Sequence, residues 1–287
     1  MKVTPECVPC LMRRILFQAK LLHNGCEYEA VRQALEVYSQ EYEEGKNSAA
    51  VATEVHRAAY RVMGADPYRQ MKLDADRIAG EYLSQVTEFV EDSEDRFAAA
   101  IRVAVIGNIM DFGVGLAIQS PEQFRNRFQS LLDQGIGSDD TERFRSLLEN
   151  AGRVLYFFDN CGESQFDKIL IREIQRMGVK VIGVVRGERI LNDVTLEDAQ
   201  RIGLDRILDG IVSTGEFRIG ADLSHAGPDL KKELDGCDLI IAKGMANYES
   251  LSDQDTSVPK VFLLRTKCEP VARSLGVPPD INVVRVV

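Results

Sequence analysis

Residues 154–186, VLYFFDNCGESQFDKILIREIQRMGVKVIGVVR, decide the fold. VLYFF is a short apolar run and reads as a buried strand. SQFDKILIREIQRMG repeats apolar residues at helical spacing and stops on Gly178, a common helix terminator. VKVIGVVR, rich in β-branched residues, reads as a second strand. Strand, helix and strand in this order predict parallel neighbours joined by a right-handed crossover. The turn between the first strand and the helix has unusual chemistry. Asn160 and Gly162 suit any turn, but two carboxylates, Asp159 and Glu163, bracket it.

The same grammar continues to the end of the chain. TLEDAQRIG reads as a helix, GIVS as a strand, PDLKKELDG as a helix, DLIIAK and KVFLLR as strands, and INVVRV closes the chain. Residues 151–287 are therefore expected to form an α/β domain, a Rossmann-like, doubly wound and mainly parallel sheet. Residues 1–150 read differently, as an all-helical domain. RRILFQAKLL, EAVRQALEVYSQEY and RFRSLLENA each repeat apolar positions every three or four residues, punctuated by HNG, MGADP and DQGIGSDD. IRVAVIGN, residues 101–108, has strand-like composition but follows the strongly helical DRFAAA and is predicted to be helix.

The chain has 287 residues, 45% of them apolar and 28% charged, as expected of a folded soluble protein. Its 35 Lys and Arg against 45 Asp and Glu give a formal charge of −10, which argues against nucleic acid or an anionic membrane as partner. No apolar run approaches the roughly 20 residues of a bilayer span, and MKVTPECVPC lacks the apolar core of a secretion signal. A cytoplasmic location is expected. Four of the six cysteines stand alone in the sequence, which favours reduced thiols. The oligomeric state is left unassigned.

In open α/β sheets, ligands bind beyond the carboxyl ends of the strands. Those ends carry Asp159 and Asn160, then Asp193 in LNDVT, then Ser213, Thr214 and Gly215, then Lys243 of IAKGMANYE, then Arg265, Thr266 and Lys267 of LLRTKCEP. With the strand order 3-2-1-4-5-6 common to such folds, Asp159 and Lys243 flank the central crevice. Each residue has an ordinary alternative: DNCG as a plain turn, Asp193 as a helix N-terminal residue before TLEDA, and either lysine as a solvated surface group. Their gathering at one sheet edge favours a site.

Asp159, Asn160 and Asp193 offer oxygen donors that suit Mg²⁺ or Mn²⁺. The three histidines lie in unrelated segments, which disfavours a histidine-built zinc site. Two carboxylates facing a phosphate dianion at about 5 Å repel it by roughly 3 kcal/mol per charge pair at an effective dielectric near 20. A divalent cation reverses that sign, and Lys243 and Lys267 add to the attraction. The helix start after DNCGE is expected to offer backbone N–H groups to a phosphate oxygen.

At these residues the sequence resembles the metal-dependent damage-control phosphatases, first catalogued as a domain of unknown function. GNIMDFG, DNCGE, KGMANYE and RTK are similar to that family's motifs, in its order, and CVPC resembles the cysteine pair of its prokaryotic subfamily. The resemblance implies a helical N-terminal domain on a Rossmann-like core. It implies one divalent metal held by Asp159, Asn160 and Asp193, with Mg²⁺ or Mn²⁺ favoured and Co²⁺ or Ni²⁺ as alternatives. It places substrate phosphate near Lys243, Asn247 and Lys267, with Asn108 and Asp111 at the same pocket. The implied activity is hydrolysis of small phosphorylated metabolites, sugar phosphates or damaged phospho-metabolites. On the bare sequence, Asn108 and Asp111 are three apart and share a helix face.

Attack by water is preferred over attack by Asp159, with Asp111 or Glu163 as base. Two rivals remain. An S-adenosylmethionine-dependent carboxyl methyltransferase, an activity attached to relatives, would want a glycine-rich first turn, and only Gly162 is present. A non-enzymatic metal-binding module would not need the lysines. CVPC, residues 7–10, with His23 and Cys26, mimics a zinc-finger spacing, but a continuous helix would separate Cys10 from His23 by roughly 20 Å. Structural, redox and metal readings of the pair stay open.

Overall fold

The computed structural model describes residues 1–110 and 128–287. The first helices are α1 (Cys7–Leu21), α2 (Glu27–Glu41), α3 (Ser48–Met63), α4 (Arg69–Glu91) and α5 (Arg96–Gly107). IRVAVIG, residues 101–107, belongs to α5 as expected, with Asn108 opening a 3-10 turn after it. Asp95 caps the helix start by accepting from the Ala98 N–H. α3 starts on Asn47, whose side chain accepts from Ala49 and Ala50, and stops at Gly64 in the left-handed region.

The remaining elements are β1 (Ser138–Asp139), α6 (Thr141–Glu149), β2 (Arg153–Phe157), α7 (Glu163–Arg176), β3 (Lys180–Val185), α8 (Leu196–Arg201), β4 (Gly210–Ser213), α9 (Pro228–Asp235), β5 (Leu239–Lys243), α10 (Gly244–Leu251), β6 (Lys260–Arg265), α11 (Glu269–Leu275) and β7 (Asn282–Val286). Among the described residues they form a seven-stranded sheet in the order β1-β7-β6-β5-β2-β3-β4. From β4 through β7, this is the doubly wound order expected from the sequence, and it makes β2 and β5 neighbours at the switch point. The β2–β3, β2–β5, β3–β4 and β5–β6 pairs are all parallel.

Two features depart from the expected pattern. Residues 138–139, expected within an all-helical stretch, pair with Val283 and Val284 as an edge strand. The partner strand β7, not local propensity, dictates their extended form. β7 itself runs antiparallel to β6. The reversal is fixed at once, because Thr266 N–H donates to Ile281 O at 3.0 Å and Asp280 N–H to Thr266 O at 2.6 Å.

β2, β5 and β6 are buried on both faces, which explains their uniformly apolar sequences. One apolar cluster joins Ala75 and Ile78 of α4, Ile101 and Val105 of α5, Phe166 and Leu170 of α7, and Val154 and Ile241 of the sheet. α5 approaches α7 closely, since a methyl at Gly107 would lie 3.2 Å from the Glu163 side chain. The helical half thereby reaches the carboxyl edge of the sheet. Among the described residues, no helix is long and apolar enough to cross a membrane.

His56 of α3 is fully buried beside α1, with Nδ1 2.8 Å from Ala52 O. Burial lowers its pKa to about 4 despite that hydrogen bond. The unfolded imidazole takes up its proton near pH 6.5, so the neutral buried form stabilises the fold fully above that pH. The contribution is lost as pH falls towards 4, a change of about 3 kcal/mol. Denaturant titrations between pH 7 and pH 4 should show this loss in the wild type, and His56→Gln should flatten it. An unchanged pH slope in the variant would refute the assignment.

Candidate active site

The site is assembled first by backbone pairing. Beyond β2, the Val194 N–H donates to Asp159 O at 2.8 Å and the Cys161 N–H to Asn192 O at 2.8 Å. Asn160 and Asp193 form an isolated antiparallel bridge between these segments. The Arg186 N–H, just past β3, donates to Val194 O at 2.8 Å. Thus the three residues expected to bind metal, Asp159, Asn160 and Asp193, come together, each at most 5% exposed. Asp193 does not cap α8. Thr195 does, in a reciprocal capping box with Asp198, which leaves the Asp193 carboxylate for the site.

A second layer comes from the facing helices. The Asn108 amide donates to Asp159 Oδ2 at 3.2 Å and Glu163 Oε2 at 3.0 Å. The Asn160 amide reaches the same two oxygens at 2.7 and 3.1 Å. Gly244, with φ +73°, begins α10 directly beneath Asp159: a methyl there would lie 1.8 Å from Asp159 Oδ2. Only glycine allows both that backbone conformation and that approach.

Lys243 is brought to this cluster but not to the cavity. Its ammonium is fully buried and donates to Glu163 Oε1 at 2.5 Å, Asp167 Oδ1 at 2.7 Å and Ala104 O at 3.0 Å. These three partners use its three donors, so the expected contact with substrate phosphate is replaced by an internal one. Burial opposes its charge, but Asp167 and Glu163 raise its pKa. Asn247 is likewise turned inward. Its amide nitrogen donates to Phe158 O at 3.0 Å and Lys243 O at 2.7 Å, and its oxygen accepts from Arg186 at 3.0 Å. Both residues hold the edge of the sheet together.

The N–H groups expected to meet phosphate at the start of α7 are also engaged. Cys161 and Ser164 donate to Asn192 O and Asn160 O, and Gly162 donates to Asp76 Oδ1 at 2.7 Å. Lys267 does line a cavity of about 380 Å³ together with Asp159, Asn160, Asp193 and Arg265. Asp111, expected at the same pocket, lies outside the described residues.

The sequence reading missed Arg186, the largest fully buried side chain among the described residues. Its Nε donates to Asp193 Oδ2 at 2.6 Å, and a terminal nitrogen lies 3.8 Å from Asp159 Oδ1. Its position at the carboxyl end of VKVIGVVR, where Asp159 stands relative to VLYFF, was the available signal. Asp167 was missed too. It accepts from Tyr156 at 2.8 Å as well as from Lys243, and its pKa is pushed up to about 7, chiefly by burial.

Four buried carboxyl groups, Asp159, Asp193, Glu163 and Asp167, thus face two fully buried cations, Arg186 and Lys243. The Asp159 pKa is pushed well up by burial, then by Asp193 and Glu163, against the pull of Arg186 and Lys267. Carboxylate oxygens and an amide oxygen in negative excess, beside one cavity, fit a hard divalent cation. Asp159, Asn160 and Asp193 are the residues that would hold it.

Lys72 of α4 braces this arrangement. Its ammonium donates to Asp193 O at 2.7 Å and Asp198 Oδ2 at 3.0 Å. Lys72→Met should weaken Mn²⁺ binding, followed by titration calorimetry, about 10- to 100-fold, as loss of groups behind metal ligands does, with an unchanged circular dichroism spectrum. Gly244→Ala should lower kcat/KM about 100-fold, because small displacements at a reacting centre cost that much. Wild-type behaviour in either variant would contradict the geometry above.

Comparison with known proteins gives these residues a context. Residues 3–283 match the damage-control phosphatase ARMT1-like domain family. A damage-control phosphatase of Archaeoglobus fulgidus is 39% identical over 280 residues, covering 96% of each chain. A damage-control phosphatase of Pyrococcus horikoshii is 30% identical over 283 residues, covering 97% of this chain and 96% of its own. The crystal structure of a DUF89 family protein from Pyrococcus horikoshii superposes with a TM-score of 0.88 at 30% identity, over 99% of this chain and 98% of that one. The chain belongs to the damage-control phosphatase ARMT1-like domain family and is a phosphatase.

Proposed function

We propose that the chain hydrolyses a small phosphorylated metabolite, a sugar phosphate or a damaged phospho-metabolite, with one divalent cation, Mg²⁺ or Mn²⁺, held by Asp159, Asn160 and Asp193. Divalent-metal dependence is general in the family. The observation that carries the reading is the pair of buried carboxyl groups, Asp159 and Asp193, on the wall of the cavity that also holds Lys267 and Arg265. The bound cation would neutralise phosphate oxygens and the charge that develops on them. Lys267 supplies a second positive charge to the same phosphate. Arg265, held by Asp280 at 2.8 Å and Asn282 at 3.0 Å, fixes the wall behind it. Asn108 and Asn160 hold the Asp159 and Glu163 carboxylates in place. Asp159 is the ligand at the reacting centre. Of the two expected bases, Glu163 is engaged by Lys243, Asn108 and Asn160 behind the cavity wall, which favours Asp111 as the group that takes the proton of the attacking water.

We propose residues 1–150 and 151–287 as the two domains, with residues 138–139 already part of the sheet, and residues from both sides of this division line the cavity. We assign the chain to the prokaryotic CxxC subfamily from the cysteine pair at positions 7 and 10, and six free thiols suit a cytoplasmic setting. The methyltransferase reading draws no support from the turn after β2. A methyl on Gly162 would lie 3.0 Å from the Ala75 side chain and 3.1 Å from its backbone, so α4 stands where a cofactor would approach.

Phosphate release from a panel of sugar phosphates with Mg²⁺, Mn²⁺, Co²⁺ or Ni²⁺, against a chelated control, tests the reading. Asp159→Asn and Asp193→Asn should each abolish the metal-dependent release. The amides are the cleaner variants, since Asp193→Ala would remove the short Arg186 contact at 2.6 Å and leave that buried charge only Asp159 at 3.8 Å and Asn247, where breaking a buried pair costs about 3–5 kcal/mol. Undiminished release in chelator, or full activity in either amide variant, would reject the assignment.

A further inference from the structure

The cavity wall away from the acidic centre carries chemistry that phosphate hydrolysis does not use. Cys7 and Cys10, from the first turn of α1, and Cys268, next to Lys267, line the same cavity as Asp159 and Asp193. All three are free thiols, Cys10 exposed and the other two partly buried. Residues three apart on a helix face each other with Cβ atoms about 5–6 Å apart, whereas a disulfide needs about 3.5–4.5 Å. The start of α1 is already wound tightly, because the Cys7 N–H donates to Thr4 O at 3.0 Å and the Val8 N–H to Pro5 O at 3.2 Å. These i→i−3 bonds align Thr4 with Cys7 and Pro5 with Val8, and tightening the next turn in the same way would bring Cys7 and Cys10 together. No side chain caps this helix, so closing the remaining gap breaks no cap.

We propose that Cys7 and Cys10 form a thiol–disulfide exchange site opening on the catalytic cavity, with small-molecule disulfides as its oxidant. The exposed Cys10 attacks one sulfur of the small disulfide, forming a mixed disulfide and releasing one small thiolate. Cys7, whose sulfur lies 3.6 Å from Thr4 Oγ1, then attacks Cys10 Sγ, forming the Cys7–Cys10 bond and releasing the second thiolate. Two protein thiols lose two protons and two electrons, and one small disulfide becomes two thiols. Cys268 takes no part. Burial pushes its pKa up to about 12 and raises that of Cys10 in the same direction, so exposure is what separates them: Cys10 is exposed and Cys268 partly buried. Cys7, Cys10 and Cys268 belong to no group of three His, Cys, Asp or Glu side chains that could hold an ion among the described residues, so thiol exchange rather than metal capture is the chemistry assigned to this wall.

The test incubates the reduced full chain with oxidised glutathione, alkylates the remaining thiols and maps peptides by mass spectrometry. Loss of two of the six alkylatable thiols, with a linked Cys7–Cys10 peptide, is expected. Cys7→Ser should trap glutathione on Cys10, Cys10→Ser should accumulate little mixed disulfide on Cys7, and Cys268→Ser should form the link as the wild type does. The proposal is overturned if all six thiols stay alkylatable. It is equally overturned if the linked peptide involves Cys268, or if Cys10→Ser traps glutathione as readily as Cys7→Ser.

Discussion

The structure depends on how one negatively charged pocket is kept from flying apart. Asp159, Asp193, Glu163 and Asp167 are brought within reach of one another where little water is present to screen them. Repulsion between unit charges at such range is worth several kcal/mol per pair. Arg186 and Lys243 offset part of it from below, and two amides bridge Asp159 to Glu163. The remainder is an attraction for a cation at the cavity surface. Architecture and chemistry therefore share a cause, since the groups that stabilise the carboxylates also aim them.

The fold was largely legible because it rests on patterns that survive in one dimension. Uniform apolar runs mark β2, β5 and β6, and the helices between them keep their period. Strand order followed from the convention of such sheets. The two-residue strand at 138–139 was not legible, since its conformation is imposed by β7 from the far end of the chain. The direction of β7 was hidden for a similar reason. It is set by pairing between Thr266 and the segment around Ile281.

The site divides along the same line. Asp159, Asn160 and Asp193 could be found because they follow strands, and Thr195 takes the capping role that would otherwise have explained Asp193 away. Lys243 was placed at the right edge and given the wrong neighbour. Its partners Glu163 and Asp167 lie 80 and 76 residues away, and nothing local distinguishes an ammonium that points down from one that points out. Arg186 was passed over because an arginine after a strand ordinarily reaches solvent. Lys72 lies in α4, a stretch in which the sequence shows no motif. A sequence shows which charges gather, whereas burial decides which of them meet the substrate.

α5 gives this division a last consequence. Its carboxyl end supplies Asn108 to two carboxylates and the Ala104 carbonyl to Lys243. The α/β half, although it contains the whole sheet, is thus chemically incomplete by itself. Severed from the helices, it would open a bare ion pair to solvent where a sealed one now stands. A shortened form of this enzyme cannot be reached by trimming through α5, and evolution would have to invent a substitute plug before it could discard the original.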